Sequence, residues 1–204
     1  MFKIRNNYIL KKIFQNAPKK PYLGIIKYNK KMQYKLGITL DDYKNYNQII
    51  VEITPNKYLD ITKENIFINI KKENKSFFHI FFNDNKEEID KNYINSDDKI
   101  EKIKVVIDIE IQSLQGLFKN SACIKEINFT RFRRKNILDM SEMFYDCGFL
   151  DNLNLTNFNT DNVTNMESMF YWCKSLKEIN FKNFNTINVT NMNNMLCGCA
   201  SLKN

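Results

Sequence analysis

Hydrophobic positions in the C-terminal half of the chain recur with a period of 26 residues. Ile111, Ile137, Val163 and Val189 form one column, and Leu114, Met140, Met166 and Met192 a second. Leu117, Met143, Met169 and Met195 form a third, followed at once by Phe118, Phe144, Phe170 and Leu196. Residues 140–165 and 166–191 are identical at 15 of 26 positions. Each unit has two parts. Leu153 and Leu155 stand two apart, which puts both on one side of a strand. Val163, Met166, Met169, Phe170 and Cys173 are spaced as one face of a short helix or 3₁₀ segment, with Thr160, Asp161 or Asn162 to cap its start. Neither part can bury its apolar side alone, so successive units must cover one another. The expectation is an α/β repeat solenoid of 26-residue units over residues 100–204, with a lead-in strand at 100–110 where Ile100, Ile103 and Val105 echo the strand pattern.

Upstream the pattern changes. Residues 1–40 read as a helical hairpin: Ile9, Leu10, Ile13 and Phe14 make one stripe, Pro18 and Pro21 break it, and a second helix through Met32 ends near Gly37. Residues 41–99 read as a small β-rich α+β domain. The runs "QIIVEI", "NIFINI" and "SFFHIFF" are β-branched or aromatic and are separated by Asn, Lys and Asp clusters. "NKEEIDKNYI" reads as a short helix, and "IKVVIDIEI" beyond it as a further strand.

The consensus "LxxLxLxNFNTxNVTNMxxMFxxCxSL" resembles the BspA-like leucine-rich repeat, a 26-residue repeat of surface proteins, over residues 111–204. That resemblance implies a leucine-rich-repeat solenoid used for binding, often at a cell surface. Residues 8–33, "YILKKIFQNAPKKPYLGIIKYNKKMQ", resemble an F-box, which implies an adaptor presenting substrates to a ubiquitin ligase.

Charge sharpens the picture unevenly. Lys3, Arg5, Lys11, Lys12, Lys19, Lys20, Lys27, Lys30, Lys31 and Lys35 fall in residues 1–40 with no Asp or Glu, whereas the whole chain carries a net charge of +8. The rest of the chain is therefore slightly acidic. "MFKIRNNYILKKIF" is interrupted by lysines before any signal-type apolar core forms. No run approaches the roughly 18 apolar residues of a transmembrane helix. Five cysteines, three of them in repeat register, read as reduced thiols. A cytoplasmic or otherwise intracellular placement is expected, with the cell surface as the alternative implied by the repeat resemblance.

Groups able to do chemistry are few. His79 is the one histidine, set between Phe77 and Phe81 on a strand face, and no phosphate-cradling glycine loop is present. Cys147, Cys173 and Cys199 and the methionine columns read as core. No catalytic residue, cofactor or metal is expected. The expected function is a non-enzymatic protein–protein interaction module binding partners through the solenoid, with an F-box-like substrate adaptor of a ubiquitin ligase, a cell-surface adhesion-type repeat protein and an enzyme of the middle domain around His79 as the alternatives. Partner-binding candidates are the solvent-facing strand positions Lys125, Asn128, Asn152, Asn154, Glu178 and Asn180. Arg131, Arg133, Arg134 and Lys135 form a basic loop in the first unit, a candidate patch for an anionic ligand. Nucleic acid is not expected there, because Phe132, the loop's aromatic, falls in core register.

Overall fold

The computed structural model describes residues 30–36, 39–56 and 64–203, and the chain divides into a unit over Met1–Tyr46 and a unit over Asn47–Asn204. In the first, α1 spans Lys30–Leu36 and α2 spans Leu40–Asn47, reaching the boundary. The first helix of the expected hairpin, with its Ile9–Phe14 stripe, lies outside the described residues. The second corresponds to α1, which stops at Leu36. Helix α2 was not expected. Its signal is Thr39-Leu40-Asp41-Asp42: the Asp42 amide donates to Thr39 Oγ1 at 3.1 Å and the Thr39 amide donates to Asp42 Oδ2 at 2.9 Å. This reciprocal capping satisfies two amides that the helix leaves over.

The second unit is built on strands β1 (Ile49–Pro55), β2 (Asn65–Ile66), β3 (Phe78–Phe82), β4 (Tyr93–Ile94), β5 (Ile103–Ile107), β6 (Ile124–Arg131) and β7 (Asn152–Asn154). Five of them form a mixed sheet in the order β3-β5-β1-β6-β7, and β2 pairs with β4. All neighbours in the sheet run antiparallel except β6 and β7, which are parallel. Period-two alternation sorts its faces. Ile80, Val105, Val51 and Phe129 stand opposite one another across four strands, as do Ile103, Ile53, Ile127 and Leu153, and all eight are buried. On the other face the matching row is Phe81, Lys104, Glu52, Asn128 and Asn154. One core therefore lies beneath a sheet that joins the middle of the chain to the first repeats.

This overturns the expected α/β leucine-rich-repeat solenoid preceded by a separate β-rich domain. The regular elements of the second unit's described residues are mostly β-strands, no α-helix lies among residues 111–203, and β1 sits between β5 and β6. The stretch read as helical, Val163–Cys173, is a pair of turns. Residues with positive φ interrupt every unit twice, four residues apart: Gly116 and Asn120, Glu142 and Asp146, Ser168 and Trp172, Asn194 and Gly198. A right-handed helix cannot pass through such positions. The amides also go elsewhere. Leu114, Gly116, Phe118 and Asn120 donate to the carbonyls of Asp139, Ser141, Met143 and Tyr145 at 2.9, 2.9, 2.8 and 2.7 Å, in the following unit. Met140, Glu142, Phe144 and Asp146 repeat this toward Asn165, Glu167, Met169 and Tyr171. The strand of Leu153 and Leu155 has no counterpart one unit later at Ile179 and Phe181, and "NKEEIDKNYI" forms no helix but ends in β4.

The period itself acts as a packing rule. Phe118, Phe144 and Phe170 stack with centroids 5.6 and 5.4 Å apart, and Phe158 lies 5.7 Å from Phe184. The thiols of Cys147, Cys173 and Cys199 donate to the carbonyls of Phe118, Phe144 and Phe170 at 2.9, 3.0 and 3.0 Å. Leu114, Leu117, Met140, Met143, Met166 and Met169 are buried.

Candidate functional site

The outer face of the sheet carries a cleft of about 800 Å³. Five of the strand-face positions singled out above, Asn128, Asn152, Asn154, Glu178 and Asn180, line it together. Parallel pairing explains the grouping: Glu126 stands opposite Asn152 and Asn128 opposite Asn154, and a further step of 26 gives Glu178 and Asn180. Two polar columns therefore run across successive units. Asn154 Oδ1 accepts from the Thr156 amide and hydroxyl at 3.0 and 2.6 Å, and Asn180 Oδ1 accepts from the Lys182 amide at 3.0 Å. Asn128, Asn152 and Glu178 have no side-chain partner among the described residues.

The remaining wall of the cleft comes from distant segments that the repeat pattern does not point to. Glu52 and Thr54 come from β1, Asn83 and Asp84 follow β3, and Glu101 and Lys102 precede β5. Asn83 and Asp84 turn the chain with φ of 50° and 58°, a conformation Asn and Asp tolerate. Asn83 Oδ1 accepts from the amides of Glu101 and Lys102 at 2.8 and 3.2 Å, which fixes this wall to β5. Among the described residues of the lining, Glu52, Asp84, Glu101, Glu126 and Glu178 set five carboxylates against one ammonium, that of Lys102. Lys102 Nζ lies 3.1 Å from Glu52 and 3.4 Å from Asp84. Its hydrogen bond to Glu52 raises its pKa.

The other candidates are not gathered there. Lys125 is outside the lining and pairs with Glu126 at 3.2 Å. Arg131 ends β6 opposite Ile50. Arg134 turns inward and is buried: its guanidinium donates to the carbonyls of Asp108 and Ile109 at 2.6 and 3.1 Å and to Asn136 Oδ1 at 2.9 Å. Burial lowers its pKa to about 10 against the pull of Glu110 and Asp108. Lys135 pairs with Asp161 at 2.8 Å. The hydrogen bond from Lys135, with others from Asn185 and Asn159, brings the Asp161 pKa down to about 2.

His79 offers little as a general base. Its Nδ1 faces both Glu88 oxygens at 3.1 Å and its Nε2 faces Asp108 Oδ2 at 3.1 Å, so neither nitrogen is turned to a nucleophile. The two carboxylates sit on opposite sides of the ring and do not converge on one point. Among the described residues no His, Cys, Asp and Glu group is placed to hold a metal.

Fold and site together define a β-rich protein with a polar, acidic concave face on one side of a mixed sheet. Residues 112–204, a little under half the chain, match a family model described as Mycoplasma protein of unknown function, DUF285. No curated protein and no solved structure matches the chain. The match corrects the BspA-like leucine-rich-repeat reading of residues 111–204, and it does not extend to the stretch read as F-box-like, of which residues 8–29 lie outside the described residues. Among the described residues no helix is long and apolar enough to cross a membrane.

Proposed function

We propose that this protein is a non-enzymatic interaction module that takes a Lys- or Arg-bearing segment of a protein partner on the outer face of its sheet. The observation that carries this reading is the alignment of Glu126, Asn152 and Glu178 beside Asn128, Asn154 and Asn180, gathered with Glu52, Asp84 and Glu101 in the lining of one cleft. Carboxylates attract the partner's cations, and the amides offer donors and acceptors to an extended backbone. Five unpaired thiols, Cys123, Cys147, Cys173, Cys197 and Cys199, support a reducing, intracellular setting.

Titration calorimetry with a synthetic peptide alternating Lys and Thr tests the reading, against a peptide alternating Ser and Thr. The basic peptide is expected to bind and to weaken as salt screens the cleft. Glu126→Gln combined with Glu178→Gln should weaken it about fivefold, or roughly 1 kcal/mol. Equal binding of both peptides, or no loss in the double variant, overturns the assignment.

A further inference from the structure

A second groove, of about 700 Å³, lies on the far side of β3. Phe78 and Ile80 are buried residues in its lining, and Glu88, Ile89, Asp90, Lys91 and Asn92 form one wall. That wall belongs to the segment that leaves β3 through the Asn83–Asp84 turn. Three ties hold it at its middle: the Ile89 amide donates to the Ile80 carbonyl at 2.8 Å, Lys75 pairs with Asp90 at 2.7 Å, and Glu88 meets His79. The Lys75–Asp90 pair is exposed on both sides, and such pairs contribute little.

We propose that His79, Glu88 and Asp108 form a pH-sensitive clasp that fastens residues 84–91 beside the groove and loosens when the imidazolium gives up its proton. The geometry requires the imidazolium. Both ring nitrogens face carboxylate oxygens, and carboxylates only accept, so both contacts need an N–H; the neutral ring has one. The groups facing the ring come from three elements: Glu88 from the wall segment, Asp108 from the residue after β5, and Val106, which stands opposite His79 on β5. Asp108 is also held by Gln48 Nε2 at 2.8 Å, and its carbonyl accepts from Arg134. Glu88, by contrast, has its side chain 53% exposed and among the described residues meets only the ring. When the ring loses a proton, the remaining N–H stays with Asp108 and Glu88 turns to water.

The direction of the effect follows. Burial lowers the His79 pKa, but the hydrogen bonds and charges of Asp108 and Glu88 outweigh it, and the net shift is upward from 6.5. The clasp's contribution is fully present below 6.5 and is lost as pH climbs through the raised value. His79 is the one histidine of the chain, so its ring signals in an NMR titration need no assignment by mutation. The full chain is expected to show a midpoint above 6.5 that falls back in Glu88→Gln. Exchange of the Ile89 amide, corrected for base catalysis, should quicken by up to about tenfold per pH unit across that midpoint, the limit for one linked proton. In His79→Gln, or in Glu88→Gln if the former does not fold, that step should vanish. A midpoint at or below 6.5, or Ile89 protection that ignores it, overturns the proposal.

Discussion

Trp172 and Gly198 occupy equivalent places in successive units, and each explains the other. A Cβ at Gly198 would stand 2.0 Å from Trp172 Cδ1 and 2.6 Å from Nε1, so the ring lies where a side chain at 198 would be. Gly198 also adopts φ of +80°, which glycine reaches without penalty. Lys174 Nζ stands 4.3 Å from the same ring, a favourable cation–π placement. Gly198→Ala is expected to displace the indole and destabilise the fold by about 1–2 kcal/mol. Because Trp172 is the sole tryptophan, its emission should shift to the red in the folded variant. Unchanged emission would mean the ring does not rest there. Arg134 gives the opposite lesson about reading single residues. In sequence it belongs to a basic run, which reads as an exposed patch for an anionic ligand. In the structure its guanidinium closes the carbonyls of Asp108 and Ile109. Only the position of those distant carbonyls separates the two outcomes, and local sequence does not contain it.

At the scale of elements, the columns were legible and the conformation between them was not. Spacings of three and four serve a helix, and they serve a pair of stacked turns equally well. The destination of the amide hydrogen bonds decides between them, and here amides go to the next unit. The cysteine column was legible for a simple reason: a small side chain recurring in register has to pack against its own repeats. Burial pushes the Cys123 and Cys173 thiols up to about 12 and the Cys147 thiol well above its ordinary value. The thiolate is the reactive form, so these three should resist iodoacetamide at neutral pH. Cys197 is exposed and should be modified first. Peptide mapping of the native protein tests this, with labelling of Cys147 before unfolding as the contrary result.

For the whole molecule, half of the candidate site followed from the period and half did not. Asn128, Asn154 and Asn180 meet because a 26-residue step returns the chain to the same place. Glu52, Asp84 and Glu101 meet them because β1 lies between β5 and β6, a pairing across some 50 to 80 positions of sequence that no local pattern announces. Register in the repeats is also quantised. Deleting residues 140–165 should leave a protein that still unfolds cooperatively, with a lower midpoint and a smaller urea m-value because less surface is buried. Deleting residues 140–152 should abolish the transition, since every column then meets the wrong neighbour. Circular dichroism through urea titration distinguishes the two.

Within the turn pairs the inter-unit hydrogen bonds run one way, which gives this part of the stack an electrical direction. Each turn pair sends its amides toward the unit that follows and offers its carbonyls to the one before. Peptide dipoles so aligned add, as they do along a helix axis. The negative pole falls at the first unit, where the carbonyls of Leu117 and Lys119 have no preceding unit to accept from. Asn69 answers both, with its backbone amide on Leu117 and its side-chain amide on Lys119, each at 2.7 Å. One neutral residue thereby caps two carbonyls of that pole.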